Sequence, residues 1–279
     1  MSQVERMRFA GKTAIVTGAG GGLGAAYAAA LAQEGACVVV VDVEADKARM
    51  TAERVDAVAR GAVTPSSLGY FGRAISMAAD LRRAQDVHMV VERTVEEFGR
   101  IDILINNAGG GSSSPGNAFS IVDTTPDAWK AMVDINLSTA FLCIRAAAPV
   151  MKKQGYGRIV NVSSRSARVA DPKLQQSPSY ATAKSGLLAL TRFAARELGP
   201  FGITANCMVP ALVLSGPVLS DYWERLGQSA QNEYLNDVAL RRLPSIEEVT
   251  NVILFLSSDE SSYITGISID VNGGSFMPP

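Results

Sequence analysis

One histidine, His88, three cysteines and two tryptophans are all that 279 residues contain of those types, and each scarcity removes a class of function. A single imidazole leaves almost no material for a histidine-ligated metal or a serine–histidine triad, and His88 reads as a surface residue. Cys37, Cys143 and Cys207 are odd in number and far apart, so they fit core thiols in a reducing compartment better than a disulfide framework. Neither sign of charge is in excess. With 26 basic and 27 acidic side chains, nothing electrostatic calls for nucleic acid or an anionic membrane. No apolar stretch reaches the ~20 residues of a bilayer span, and the opening MSQVERMRFAGK has no apolar run of signal length. The expectation is a cytoplasmic protein whose partners are small molecules.

What the chain does have is a rhythm. Short β-branched runs alternate with alanine-rich helical ones, the mark of βαβ units around a parallel sheet. Strands are expected at 13–17, 37–42, 74–79, 101–106, 158–162, 203–208 and 267–271. Helices are expected over 22–34, 44–60, 84–98, from Pro126 to about Lys152, over 179–198, and over 246–257. Residues 61–72 and 109–117 are turn-rich, and 211–240 lacks a sheet pattern. No shift in composition marks a linker. The chain therefore reads as one doubly wound α/β domain over 1–279, with helices on both faces and a lid-like segment at about 211–240.

Two stretches carry chemistry. The first, Thr17-Gly18-Ala19-Gly20-Gly21-Gly22-Leu23-Gly24, joins the first strand to the first helix. Glycines there permit positive φ, let the backbone approach a pyrophosphate and present helix N–H groups to it. Asp42 closes the second strand, where a carboxylate accepts from ribose hydroxyls and repels a 2′-phosphate. No lysine or arginine lies in the glycine loop and Val43 follows Asp42, so NAD is expected over NADP. The second stretch is Tyr180-Ala181-Thr182-Ala183-Lys184 on a helix, whose spacing of four puts phenol and ammonium on one face. A neighbouring ammonium is expected to lower the phenol's pKa toward general acid/base use. Ser163 and Ser164 end the fifth strand and bring a hydroxyl to the same edge of the sheet.

Taken with Asn106-Asn107-Ala108-Gly109 after the fourth strand and Asn136 in DINLSTAF, these motifs resemble the short-chain dehydrogenases/reductases of the NAD-preferring type, over nearly the whole chain. The resemblance implies a seven-stranded parallel Rossmann sheet, hydride transfer between a carbinol and nicotinamide, and a homotetramer or homodimer. It implies Tyr180 as acid/base, Lys184 as its pKa-lowering partner on the nicotinamide ribose, Ser164 as donor to the substrate oxygen and Asn136 as anchor of a water near Lys184. It places Asp80 at the adenine amino group with Leu81 nearby, and Asn107, Ala108 and Gly109 along the cofactor. Each of three polar residues has a structural alternative: Asn107 as a brace, Asn136 as a satisfied buried amide, Asp80 as a helix N-cap.

The chain departs from the family pattern after strand six, where Pro210-Ala211-Leu212-Val213-Leu214-Ser215 replaces the usual Pro-Gly and threonine. Ser215 keeps a hydroxyl for the nicotinamide carboxamide, and Val213 a backbone group. Gly110–Phe119, Arg165–Ser179 and Ala211–Leu240 are expected around the substrate. Arg165, Arg168 and Lys173 read either as contacts to an acidic substrate group or as a solvated loop, the second being favoured. Tyr222, Trp223 and Tyr234 read as an apolar wall or as anchors for the lid, and Gly273–Pro279 as a tail that reaches a neighbouring subunit. The function expected is an NAD-dependent oxidoreductase acting on a secondary alcohol or its ketone. A 3-oxoacyl thioester reductase is the runner-up, against which Asp42 counts. A non-catalytic NAD-binding regulator and an enzyme using transient oxidation for epimerisation or dehydration stay open.

Overall fold

A computed structural model describes residues 7–62, 72–110, 118–170 and 177–278. Seven strands form a single parallel sheet: β1 (Thr13–Thr17), β2 (Cys37–Asp42), β3 (Ala74–Ala78), β4 (Ile103–Asn106), β5 (Gly157–Val162), β6 (Ile203–Pro210) and β7 (Ser268–Val271). Their spatial order is β3-β2-β1-β4-β5-β6-β7. Among the described residues, eight α-helices flank them: α1 (Gly22–Gln33), α2 (Ala45–Ala62), α3 (Ala84–Phe98), α4 (Pro126–Val133), α5 (Thr139–Gln154), α6 (Pro178–Leu198), α7 (Pro217–Asp237) and α8 (Ile246–Ser257).

Successive side chains on a strand point to opposite faces, so each strand feeds two cores. Val16, Val38, Val40, Ile103 and Ile105 pack with Tyr27 and Leu31 of α1, Val55 of α2 and Val249 and Ile253 of α8. Ile15, Val39, Leu104 and Ile159 pack instead with Val87 and Val90 of α3, Cys143 and Met151 of α5 and Leu198 of α6. At about 1.5–3 kcal/mol per buried aliphatic side chain, the two layers hold the sheet from both sides. The unbroken valines of β2 reflect that double burial.

The order reverses between β1, which carries β2 on one side, and β4 on the other. Chain segments leaving these two carboxyl ends in opposite directions open a crevice there. The ends of β1, β2, β4 and β5 thus deliver Gly18, Asp42, Asn107 and Ser164 to one edge.

Three features differ from expectation. The long helix from Pro126 is divided by a π turn at Asp134–Ser138, since one residue more than α-helical pitch allows is accommodated there. The run 126–154 is also long and apolar enough by composition to cross a bilayer, but half of its most apolar window is buried in the protein. Met132, Cys143, Ile144 and Met151 serve the core, while Trp129 and Phe141 stay on the surface. Finally, β6 runs to Pro210 and much of the 211–240 segment is helix α7.

At the opposite edge of the sheet, Asp102 is fully buried. Its carboxylate accepts from Thr13 N at 2.9 Å and from Arg100 Nε and Nη2 at 2.6 Å each. Removing it leaves the buried Thr13 N–H without its acceptor, while the partly exposed Arg100 can turn to solvent. Asp102→Ala is expected to cost about 1–3 kcal/mol, read as a lower denaturant midpoint with an unchanged slope.

Candidate active site

The β1–α1 turn is packed too tightly for a side chain at Gly18, Gly20 or Gly24. Gly18 and Gly22 adopt φ of 61° and 56°. A Cβ on Gly24 would lie 2.3 Å from Gly18 O, and one on Gly20 would lie 2.8 Å from the Asp42 carboxylate. Helix α1 begins without a side-chain cap or an acidic residue in its first turn, leaving its N-terminal amides and partial positive charge directed at the crevice. Leu23 packs against the core below. This is a cradle with the chemistry of a pyrophosphate site.

Asp42 faces that cradle. It accepts from Gly20 N at 2.9 Å and Glu44 N at 3.1 Å. Lys47 is close to the same spot, a base that reading the loop alone misses because it lies in the first turn of α2. Its ammonium bonds Glu44 at 2.6 Å.

The far wall is braced by polar bonds between β1 and β4. Asn107 Nδ2 donates to Thr17 O at 3.0 Å and Gly18 O at 3.1 Å. Thr17 Oγ1 donates to Ile105 O and accepts from Asn107 N and Ala108 N, all at 3.0–3.1 Å. The brace reading of Asn107 is therefore what its amide does, and Thr17 is its unforeseen partner. Asp80 does not cap α3, whose N-cap is Arg83. Its carboxylate is held by Arg82 Nε and Nη2 at 2.8 and 2.7 Å, and that guanidinium lowers its pKa. The Leu81 side chain is core.

Below the crevice, the π turn points Asn136 inward. Its Oδ1 accepts from Gly110 N at 3.1 Å, and its Nδ2 donates to Gly110 O at 3.0 Å and Met132 O at 3.1 Å. Gly109 fits between Asn136 and Lys184, since a Cβ there would lie 2.5 Å from Asn136 Oδ1 and 3.2 Å from Lys184 Nζ. Lys184 is 4 % exposed and donates to Val162 O at 2.9 Å. Burial lowers its pKa to about 8. The neighbouring Ser163, rather than facing the crevice, donates to Lys184 O at 2.8 Å.

Tyr180 sits in the first turn of α6, started by Ser177 as N-cap and Pro178 behind it. The expectation for its pKa needs correcting. Burial raises the phenol's pKa, and only a hydrogen bond with Ser164 opposes this. The ammonium of Lys184 lies 5.8 Å from the tyrosine ring centroid, committed to the Val162 carbonyl. Ser164 also accepts from Ser166 N at 3.2 Å, which fixes its backbone at the start of a single 3-10 turn. Serine, tyrosine, lysine and asparagine are thus gathered at one edge by three elements, since Tyr180 and Lys184 share α6.

At the open side, Ser215 lies against Gly22, with its carbonyl 3.2 Å from where a Cβ would be. Pro210 ends β6, Ala211 N donates to Val271 O at 3.0 Å, and Val213 is buried, so the alanine is accommodated by the ordinary sheet edge. Neither arginine is a solvated loop base. Arg165 is 6 % exposed, and Arg168 is paired in fork geometry with Asp270, both contacts at 3.1 Å. Lys173 lies outside the described residues. Tyr234 is an anchor, buried with its hydroxyl accepting from Leu212 N. Phe276 packs against Arg168 of its own chain, 5.8 Å from the guanidinium.

Residues 18–275 match the family described as enoyl-(acyl carrier protein) reductase. A cyclohexanol dehydrogenase from Rhodococcus sp. is 38% identical over 276 residues, covering 95% of this chain and 96% of that one. A 3-oxoacyl-(acyl-carrier-protein) reductase from Thermotoga maritima is 34% identical over 268 residues, with 96% and 99% covered. The solved structure of such a reductase from Brucella melitensis with bound NAD superposes with a TM-score of 0.83 at 30% identity, covering 100% and 97%. A glycine cradle at the sheet reversal, a Ser-Tyr-Lys-Asn cluster beside it and these full-length likenesses agree: the chain belongs to the short-chain dehydrogenase/reductase family and is an NAD(P)-dependent oxidoreductase.

Proposed function

We propose that the protein interconverts a secondary alcohol and its ketone with NAD as the cofactor, in a cytoplasmic homotetramer or homodimer. The observation that carries the alcohol–ketone reading is the gathering of Ser164, Tyr180 and a buried Lys184 at the mouth of the cradle, with the ammonium 5.8 Å from the tyrosine ring centroid. The bound nicotinamide supplies the hydride acceptor or donor. Gly18–Gly24 would hold the pyrophosphate, Asp42 the adenosine ribose, Asp80 the adenine side, and Ala108 and Gly109 the central stretch. Pro210, Val213 and Ser215 would hold the carboxamide, with Lys184 at the second ribose. Tyr180 takes the proton of the alcohol or returns it to the ketone, Ser164 orients the reacting oxygen, and Lys184 and Asn136 continue the proton path.

Asp42 supports NAD because a carboxylate at the end of β2, bonded to the glycine cradle, would accept from ribose hydroxyls and repel a 2′-phosphate, while the nearby Lys47 is engaged by Glu44. The relative from Rhodococcus supports an alcohol substrate. Those named as 3-oxoacyl reductases support the thioester alternative. Phe193 on α6 and Phe141 on α5, 78% and 47% exposed, support self-association.

The direct test follows absorbance at 340 nm with NAD and NADP over cyclic and acyclic secondary alcohols, then 3-oxoacyl thioesters with NADH and NADPH. Tyr180→Phe is expected to lose roughly 10²–10⁴ in kcat; unchanged turnover would remove the tyrosine from the chemistry. Asp42→Ala should weaken NAD by about 10–100-fold, the worth of charge-assisted hydrogen bonds, and narrow its lead over NADP.

Two pH effects follow from burial. Alcohol oxidation needs the phenolate, whose formation burial opposes. The rate should therefore climb about tenfold per pH unit until the tyrosine titrates, while ketone reduction, which uses the protonated phenol, should stay level over that range and fall only above it. Lys184 is charged in the folded state only below about pH 8 but keeps its proton to about 10.5 when unfolded. The folded parent thus pays for a buried charge below pH 8, and its stability rises as pH climbs from there toward 10.5. Lys184→Met relieves a cost on the order of 3 kcal/mol and loses one hydrogen bond. It should be inactive yet more stable at pH 7 in thermal melts, with the advantage gone by pH 10.

A further inference from the structure

Past Val162 the chain leaves the sheet, and the direction in which Ser164 presents its hydroxyl depends on what holds the residues that follow. Ser163 is still tied to the body, its N–H donating to Met208 O and its hydroxyl to Lys184 O, both at 2.8 Å. Ser164 is extended, with φ −160° and ψ 153°, and caps the 3-10 turn Arg165–Ala167. Two side chains from other elements grip the far end of that turn. Ser185, next to Lys184 on α6, shares its hydroxyl between Ala167 O at 3.1 Å and Ala181 O at 2.8 Å. Arg168 donates from Nε and Nη2 to the two carboxylate oxygens of Asp270 on β7, each at 3.1 Å.

The second grip is the more directional. Strand β6 lies between β5 and β7, so one side chain bridges strands about 10 Å apart. A bidentate fork fixes direction as well as distance. The two side chains are 22% and 12% exposed, which sets the pair apart from solvated surface ion pairs. The end of the chain folds over its outer side. Asn272 accepts at Oδ1 from Gly274 N at 2.9 Å and donates from Nδ2 to Phe276 O at 3.0 Å, and this turn lays the Phe276 ring against the guanidinium.

We infer that Arg168 and Asp270 are positioning residues, which act through the 165–168 turn to set where the Ser164 hydroxyl stands relative to Tyr180. The inference rests on the role proposed above for Ser164, as the group that orients the reacting oxygen. Small displacements matter there, since about 1 Å at a reacting centre is worth on the order of 100-fold in rate.

Two measurements on the intact chain test it. The first needs no substrate. Ala167, Arg168 and Val169 have amides bonded within the turn, and Arg168→Met should speed their hydrogen exchange about tenfold, the worth of one charged hydrogen bond, with 13–17 and 184–190 unchanged. Asp270→Asn, close in shape, should do the same and serves alone if Arg168→Met does not fold. The second is a double-mutant cycle in kcat, with NAD and the alcohol turned over fastest in the panel above. Arg168→Met should cost about 10–100-fold when Ser164 is present, but less than about threefold more in a Ser164→Ala background read over long incubations. NADH Kd, followed by fluorescence, should not change in either variant. Unaltered exchange in the turn, exchange quickened equally in 13–17 and 184–190, or the same fold loss in both backgrounds would overturn the inference. If the parent turns over no alcohol or ketone, the proposed reaction fails, and the exchange result then decides the clamp.

Discussion

The site depends on how closely the β1–α1 turn is held against the end of β4. Thr17 and Asn107 tie the two strands together with five hydrogen bonds between 3.0 and 3.1 Å. Gly24 then passes so near Gly18 O and the Asn107 amide that no Cβ fits. Widening this seam would release the helix N-terminus from its aim at the crevice and carry Asp42, bonded to Gly20 N, away with it. A polar brace suits this place because the strand ends have no further sheet partner for their carbonyls.

The proton-handling cluster shows a second economy, in which one backbone irregularity serves several side chains. The π turn rotates Asn136 into contact with Gly110 at both backbone atoms, and Gly109 leaves room for Lys184 to lie alongside. Lys184 is destabilised as an ammonium by its surroundings, and its carbonyl bond to Val162 offsets part of that. A buried lysine of depressed pKa is a poor contributor to stability and a ready participant in proton transfer. Tyr180 is likewise held in its neutral form until something in the cleft favours the phenolate.

Much of this was legible along the chain. Seven strands, the double burial of β2, the helix carrying Tyr180 and Lys184 and the roles open to Asp42 follow from local periodicity and spacing. The lid side was less so. Arg165 and Arg168 read as a basic loop because charge in a turn-rich stretch is ordinarily solvated, yet one is buried beside Tyr234 and the other is clamped by Asp270, about a hundred residues away in sequence. Helix α7 escaped notice because its pattern is interrupted at Gly227 and few of its side chains face the core.

By itself, then, the sequence determined the parallel doubly wound sheet, the glycine turn with its acidic partner and the tyrosine–lysine pair, since each is set by neighbours within a helical turn or a strand. The tertiary structure decided the rest. It gave Asn107 to the brace, turned Lys184 toward a carbonyl instead of the phenol, and set Tyr180 above rather than below its ordinary pKa. Those outcomes depend on desolvation and on partners brought from distant strands, and neither can be read from spacing along a chain.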